Sequence, residues 1–179
     1  MNPGRRWLIT FTLALAVAVP AARAAVQACP ADTKLVHTAT VTLRRSLALS
    51  GEQANLLLRL VSLQSSRQDV PPELLDQLRT LTGQNRRVLL AGEKHVAALP
   101  PGTPQGRAFK RATLRYLREA VQPENECIGK AADATTLAEL GASVTCFETA
   151  KRKDIALQRV VNATLAKLKK ARRCTIRHR

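Results

Sequence analysis

Two sets of side chains in this 179-residue chain have types and spacings that bear on chemistry: four cysteines and a late run of cations. Cys29, Cys127, Cys146 and Cys174 are even in number. Oxidative pairing suits them better than metal ligation, because no two stand as Cys-x-x-Cys and His37, His95 and His178 are scattered singly. The cations gather at the end: residues 151–179 carry 11 basic side chains against one acidic, whereas residues 25–150 carry 15 basic and 12 acidic. Arg152, Arg159, Lys167, Lys169, Lys170, Arg172, Arg173 and Arg177 form the candidate anion-binding set. Each Lys or Arg held near an anionic membrane surface contributes about 1 kcal/mol. An anionic membrane surface, lipopolysaccharide or an acidic protein would all satisfy this set. Nucleic acid fits less well, because stacking on unpaired bases needs aromatic side chains and the basic region has none.

Catalytic signatures do not emerge. The chain has no Gly-rich phosphate loop, no HExxH and no GxSxG, so the expectation is a protein that is not an enzyme and takes no cofactor or metal. A second basic group, Arg107, Arg111, Arg115 and Arg118 with Lys110 beside them, reads as the outer face of a helix.

The redox argument for the cysteines depends on the first 24 residues. Arg5 and Arg6 precede an apolar run from Trp7 to Val19, then Pro20 and the small-residue site Ala22-Arg23-Ala24, which is the pattern of a cleavable signal peptide. The run is too short to span a bilayer, which needs roughly 18–20 apolar residues, and no later segment reaches that length. Residues 1–24 are therefore expected to be removed, leaving residues 25–179 as one helical-bundle domain in the periplasm or outside the cell, with a basic C-terminal helix and tail. Val26-Gln27-Ala28-Cys29 is similar to a bacterial lipobox, which makes lipid anchoring through Cys29 the alternative; the charge of Arg23 interrupts the apolar approach that such signals need.

The elements that must position these groups read as helices. After Trp7 and Phe11 leave, only Phe109, Tyr116 and Phe147 are aromatic, so Leu, Val and Ala must fill the core, and that suits closely packed helices. Prolines at 30, 71–72, 100–101, 104 and 123 delimit four segments. The first, about 31–66, carries Val36, Ala39, Leu43, Leu47, Ala54, Leu57, Leu58 and Val61 at helical spacing, with Ser50 and Gln53 as a capping box at a kink. The second begins at Pro71-Pro72-Glu73, with Gly83 and Gly92 loosening it. The third takes Thr103 as N-cap and Pro104 in its first turn, and places Phe109, Ala112, Tyr116 and Ala120 on one stripe. The fourth runs from Ala142 to Cys174 with neither Gly nor Pro, and Leu137, Leu140, Val144 and Phe147 upstream mark a rotated face.

Four such helices with short connections predict an all-α, up-down-up-down four-helix bundle. In that topology Cys29 and Cys174 lie at the same end, and Cys127, in the connection before the last helix, lies near Cys146. The favoured pairing is Cys29–Cys174 with Cys127–Cys146. Pairing Cys146 with Cys174 would bring together positions ~42 Å apart on one helix. Glu124 and Glu126 read as solvated loop residues.

The stretch Ser50-Gly51-Glu52-Gln53-Ala54-Asn55-Leu56-Leu57-Leu58-Arg59-Leu60 is similar to the first helix of the periplasmic four-helix sensor domains of type IV pili chemotaxis transducers. The likeness covers 11 residues and lacks the Arg-Met-Leu-Ser-Gln core of that family. It implies the bundle. The alternative function is a sensor or carrier whose bundle core holds an apolar or anionic small ligand between helices, in a pocket lined by Leu, Val and Tyr116.

The processing expectation has a direct check. The intact mass of the exported protein should correspond to a chain starting at Ala25, and a diacylglycerol-modified start at Cys29 would replace ordinary cleavage with lipid anchoring.

Overall fold

In the computed structural model the described residues are 29–171, and they form helices throughout: α1 (Pro30–Ser65), α2 (Pro72–Ala98), α3 (Pro104–Tyr116), a π-helical turn (Leu117–Val121), α4 (Gln122–Ala132) and α5 (Leu137–Lys170). Alternation in Thr38-Ala39-Thr40-Val41-Thr42-Leu43 does not make a strand, since these residues lie inside α1. Cross-contacts give the topology. Asp32 near the start of α1 meets Thr103 before α3, Gln53 further along meets both Thr82 of α2 and Asn125 of α4, and Tyr116 of α3 meets Asp154 of α5. The bundle is therefore up-down-up-down, with α3, the π turn and α4 acting as one continuous third rod.

That rod corrects the division drawn at Pro123. The proline lies inside a helix rather than ending one, and Cys127 with Glu124 sits on α4 rather than in a connection. A proline removes an N–H and its ring crowds the carbonyl four residues back. Here the chain widens by a turn in which the Gln122 N–H reaches the Leu117 carbonyl, five residues back, so the helix passes the proline and continues. Leu117, Ala120 and Val121 of the turn and Glu124, Asn125 and Ile128 beyond it all face inward.

Two further expectations change. Ser50 and Gln53 do not cap a break: α1 is unbroken, and both side chains reach inward to α2. The last helix starts at Leu137, where Thr136 and Glu139 form a capping box, and Gly141 lies within it. Its buried positions, Leu140, Ser143, Phe147, Ala150, Asp154, Leu157 and Val161, form a single stripe, so no rotated face exists; Leu137 is 63% exposed.

The core is built in two apolar halves. Leu35, Ala39, Leu89, Val96, Phe109, Leu117, Leu157 and Val161 pack at the end where α1 begins. Leu57, Leu60, Leu74, Leu78, Ile128, Leu140 and Phe147 pack at the other. At the first end the buried Asp32 carboxylate accepts from the Gly102 N–H at 2.8 Å and the Thr103 hydroxyl at 2.6 Å, and Thr103 in turn accepts from the Gly106 N–H at 2.9 Å, capping α3 as expected. At the second, Cys127 and Cys146 form a disulfide between α4 and α5, with Cα atoms 5.6 Å apart. No described cysteine is free. The expected Cys29–Cys174 bridge involves a position outside the described residues.

With so few aromatics, α1 and α2 must approach closely. Gly92 marks the approach: a Cβ there would collide with the Thr42 side chain, so this glycine is a packing requirement rather than a loosening of α2. Gly92→Ala should lower stability by about 1–3 kcal/mol despite its better helix propensity, and Thr42→Ala in the same chain should recover part of the loss. Thermal denaturation of the two variants checks this. An unchanged melting temperature in Gly92→Ala would refute the contact.

Candidate functional site

The structure separates the cations of α5 into two groups. Lys151 and Lys153 turn toward the third rod: Lys151 Nζ lies 3.3 Å from Glu124 Oε1 and 2.9 Å from Asp154 Oδ2, and Lys153 Nζ lies 3.4 Å from Glu119 Oε2. Arg152, Arg159, Lys167, Lys169 and Lys170 are exposed on α5 and form no ion pair with a described residue. The helix places Arg152, Arg159, Lys167 and Lys170 on one outward arc, because they follow each other at steps of seven, eight and three residues. Lys169 falls to one side of it. The remaining predicted members, Arg172, Arg173 and Arg177, lie outside the described residues.

The basic group on the third rod is used differently. Arg115 pairs with Glu119 at 3.2 Å, and Arg118 pairs with Glu93 at 2.6 Å while Gln122 donates to the other Glu93 oxygen at 2.8 Å. Arg115, the first cause, and Lys153 hold the Glu119 carboxyl below its ordinary range, as Arg118 does for Glu93. Lys110 donates to the Ala97 and Leu99 carbonyls, closing the C-terminus of α2. Only Arg107 and Arg111 of this set are exposed without such a partner.

Between the apolar halves runs a polar layer that sequence reading missed. Gln53 and Asn85 are fully buried; Gln53 donates to Asn125 Oδ1 at 2.9 Å and to Thr82 Oγ1 at 3.1 Å, and Asn85 donates to Gln53 Oε1 and Ser50 Oγ, each at 3.1 Å. Adjacent to Asn125, Glu124 is also buried, which corrects its reading as a solvated loop residue; Glu126 is exposed. Tyr116 donates its hydroxyl to Asp154 Oδ1 at 2.5 Å. Two carboxylates thus share one ammonium and one phenol. Burial pushes the Glu124 carboxyl above its usual range against the pull of Lys151. Burial pulls Lys151 down, but the Glu124 and Asp154 carboxylates outweigh it and the ammonium is held above its ordinary value. For Tyr116 burial and the Asp154 charge act together, raising the phenol far above its ordinary value. A visible signal did exist, since Ser46 and Gln53 continue the inward stripe from Ala39 and Thr42 to Leu57.

Two concavities among the described residues are open surface grooves. One is lined by Lys130, Asp133, Glu139 and Ser143 at the α4–α5 connection, the other by Glu52, Asn55, Glu73 and Gln77 between α1 and α2. No group of three or more His, Cys, Asp or Glu among the described residues is placed to hold a metal, and none of the described helices is long and apolar enough to cross a membrane. No protein-family model matches the chain, and comparison with curated proteins and with solved structures finds no significant similarity.

The polar layer carries a pH dependence whose sign follows from the directions above. A buried neutral phenol binds its proton more tightly in the fold than in the unfolded chain, where it ionises near 10.0; its contribution is complete below that pH and is lost as pH rises. Lys151, raised from 10.5, acts in the same sense. Tyr116 is the one tyrosine of the chain, so phenolate absorbance reads it alone. Phenolate should appear only together with loss of helical circular dichroism, at a pH above 10.0. A midpoint near 10.0 with the helices intact would refute the buried Tyr116–Asp154 bond.

Proposed function

We propose that this chain is an exported, disulfide-stabilised helical interaction module that binds an anionic partner through the outer face of α5, without catalysis. The observation that supports it is the segregation of charge on that helix. Asp154 is the one acidic residue from position 151 onward, and it is buried against Tyr116 and Lys151. Arg152, Arg159, Lys167 and Lys170 consequently stand outward, and no ion pair with a described residue neutralises them. Solvated cations at this density raise the local potential and draw in polyanions, with a strength that salt screens. A helical bundle with an interhelical disulfide and no membrane-spanning helix among the described residues is compatible with export. The alternative of a ligand held in the core gains no support from the concavities, which lie on the surface.

Charge-matched variants separate a specific face from net charge. Replacing Arg152, Arg159, Lys167 and Lys170 by Gln should weaken binding to heparin at low ionic strength at least tenfold, given ~1 kcal/mol per cation near an anionic surface before screening. Replacing the equally exposed Arg45, Arg86, Arg87 and Lys94 by Gln removes the same charge and should leave binding within about twofold. Equal losses in both variants, or no salt-sensitive retention of the parent, would refute the assignment.

A further inference from the structure

The outward face of α5 is not purely electrostatic. Ile155 and Val160 are each 46% exposed, and they flank the cationic arc on its two sides. Between the long cations the arc carries short side chains, with Ala156 and Ala163 exposed along its centre. A soluble polyanion is held by charge and hydrogen bonds and gains nothing from exposed aliphatic groups beside its cations. A bilayer surface uses both. Apolar side chains enter the boundary between headgroups and acyl chains, and Lys and Arg reach outward from the same helix to the phosphates. Small residues along the centre let the helix come close to the headgroups, so the cations reach the phosphates while the aliphatic flanks border the contact. The arc from Arg152 to Lys170 spans ~27 Å at 1.5 Å per residue, long enough to lie along a surface.

Other basic areas lack this combination. On α2, Leu90 is the one large exposed apolar side chain beside Arg86, Arg87 and Lys94, and Glu93 lies among them, paired with Arg118. The apolar flanks and an acid-free stretch coincide only on α5 among the described helices.

We propose that the anionic partner of α5 is a lipid bilayer surface bearing phosphate headgroups, on which the helix lies flat with its cations among the headgroups and Ile155 and Val160 at the two margins of the contact. The proposal rests on the anion-binding reading above and names the occupant of that face.

The test uses the exported, processed chain with vesicles of phosphatidylcholine alone or mixed with phosphatidylglycerol, and heparin as the soluble polyanion. The parent should sediment with the anionic vesicles and not the neutral ones. Ile155→Ser with Val160→Ser should weaken vesicle binding at least fivefold and leave the salt needed to elute from heparin unchanged. Trp7 is the only tryptophan and lies in the segment expected to be removed. Ile155→Trp therefore supplies a single reporter, whose emission should shift to the blue on anionic vesicles and be quenched by brominated acyl chains. Heparin binding without vesicle binding, or vesicle binding indifferent to the serine pair with an unshifted tryptophan, would overturn the lipid assignment and leave anion binding standing. Failure to bind either probe would overturn both.

Discussion

One ammonium between two carboxylates, at the middle of a bundle otherwise filled by Leu, Val and Ala, constrains everything around it. Lys151 cannot leave Glu124 and Asp154 without stranding buried charge, which costs several kcal/mol per ion. Such a cluster is weak evidence for stability, since an apolar replacement can pack as well. Its physical consequence is register. Aliphatic stripes on neighbouring helices tolerate a slide by one turn, because Leu against Leu is nearly equivalent at each step. A slide of α5 along the third rod would separate Tyr116 from Asp154 and Lys151 from Glu124 together, and those partners have no substitutes nearby. Gln53, Asn85 and Asn125 impose the same restriction on α1 and α2.

The π turn belongs to this constraint. A regular helix through Pro123 would crowd the carbonyl four residues back. The widened turn relieves the proline, and the rod continues with Glu124 and Asn125 facing inward, where one meets α5 and the other meets α1 and α2. A local covalent fact, a missing N–H, is thereby absorbed without breaking the rod that carries two members of the polar layer.

The apolar periodicity of the sequence carried the four-rod topology, the Thr103 cap, the Phe109-to-Ala120 stripe and the Cys127–Cys146 pairing, because each follows from residue type and helical spacing. What it concealed was polar. Ser46, Gln53, Asn85 and Asn125 resemble solvated residues when read singly, and their only signal in the sequence is a place on the inward stripe of each helix. Pro123 misled for a related reason: the rule that proline ends a helix presumes four-residue hydrogen bonding, and here the chain switches to five. The outward cations were legible from composition. That Lys151 would serve the interior and Lys153 would pair across to the third rod was not, since it depends on Glu124 and Glu119 of another rod.

These internal demands explain why the exposed face of α5 is a rigid one. The helix is fixed covalently at Cys146, electrostatically at Lys151 and Asp154, and by apolar packing at Leu157 and Val161. Asp154, Leu157 and Val161 lie on the inward stripe and Cys146 and Lys151 border it, so the outward arc is left with no structural duty. A surface whose backbone is already ordered loses little conformational freedom when it meets a partner, and more of each contact then appears as affinity. The inward stripe spends the helix's single late carboxylate on Tyr116 and Lys151, and in doing so it leaves the outer arc both preorganised and uniformly cationic.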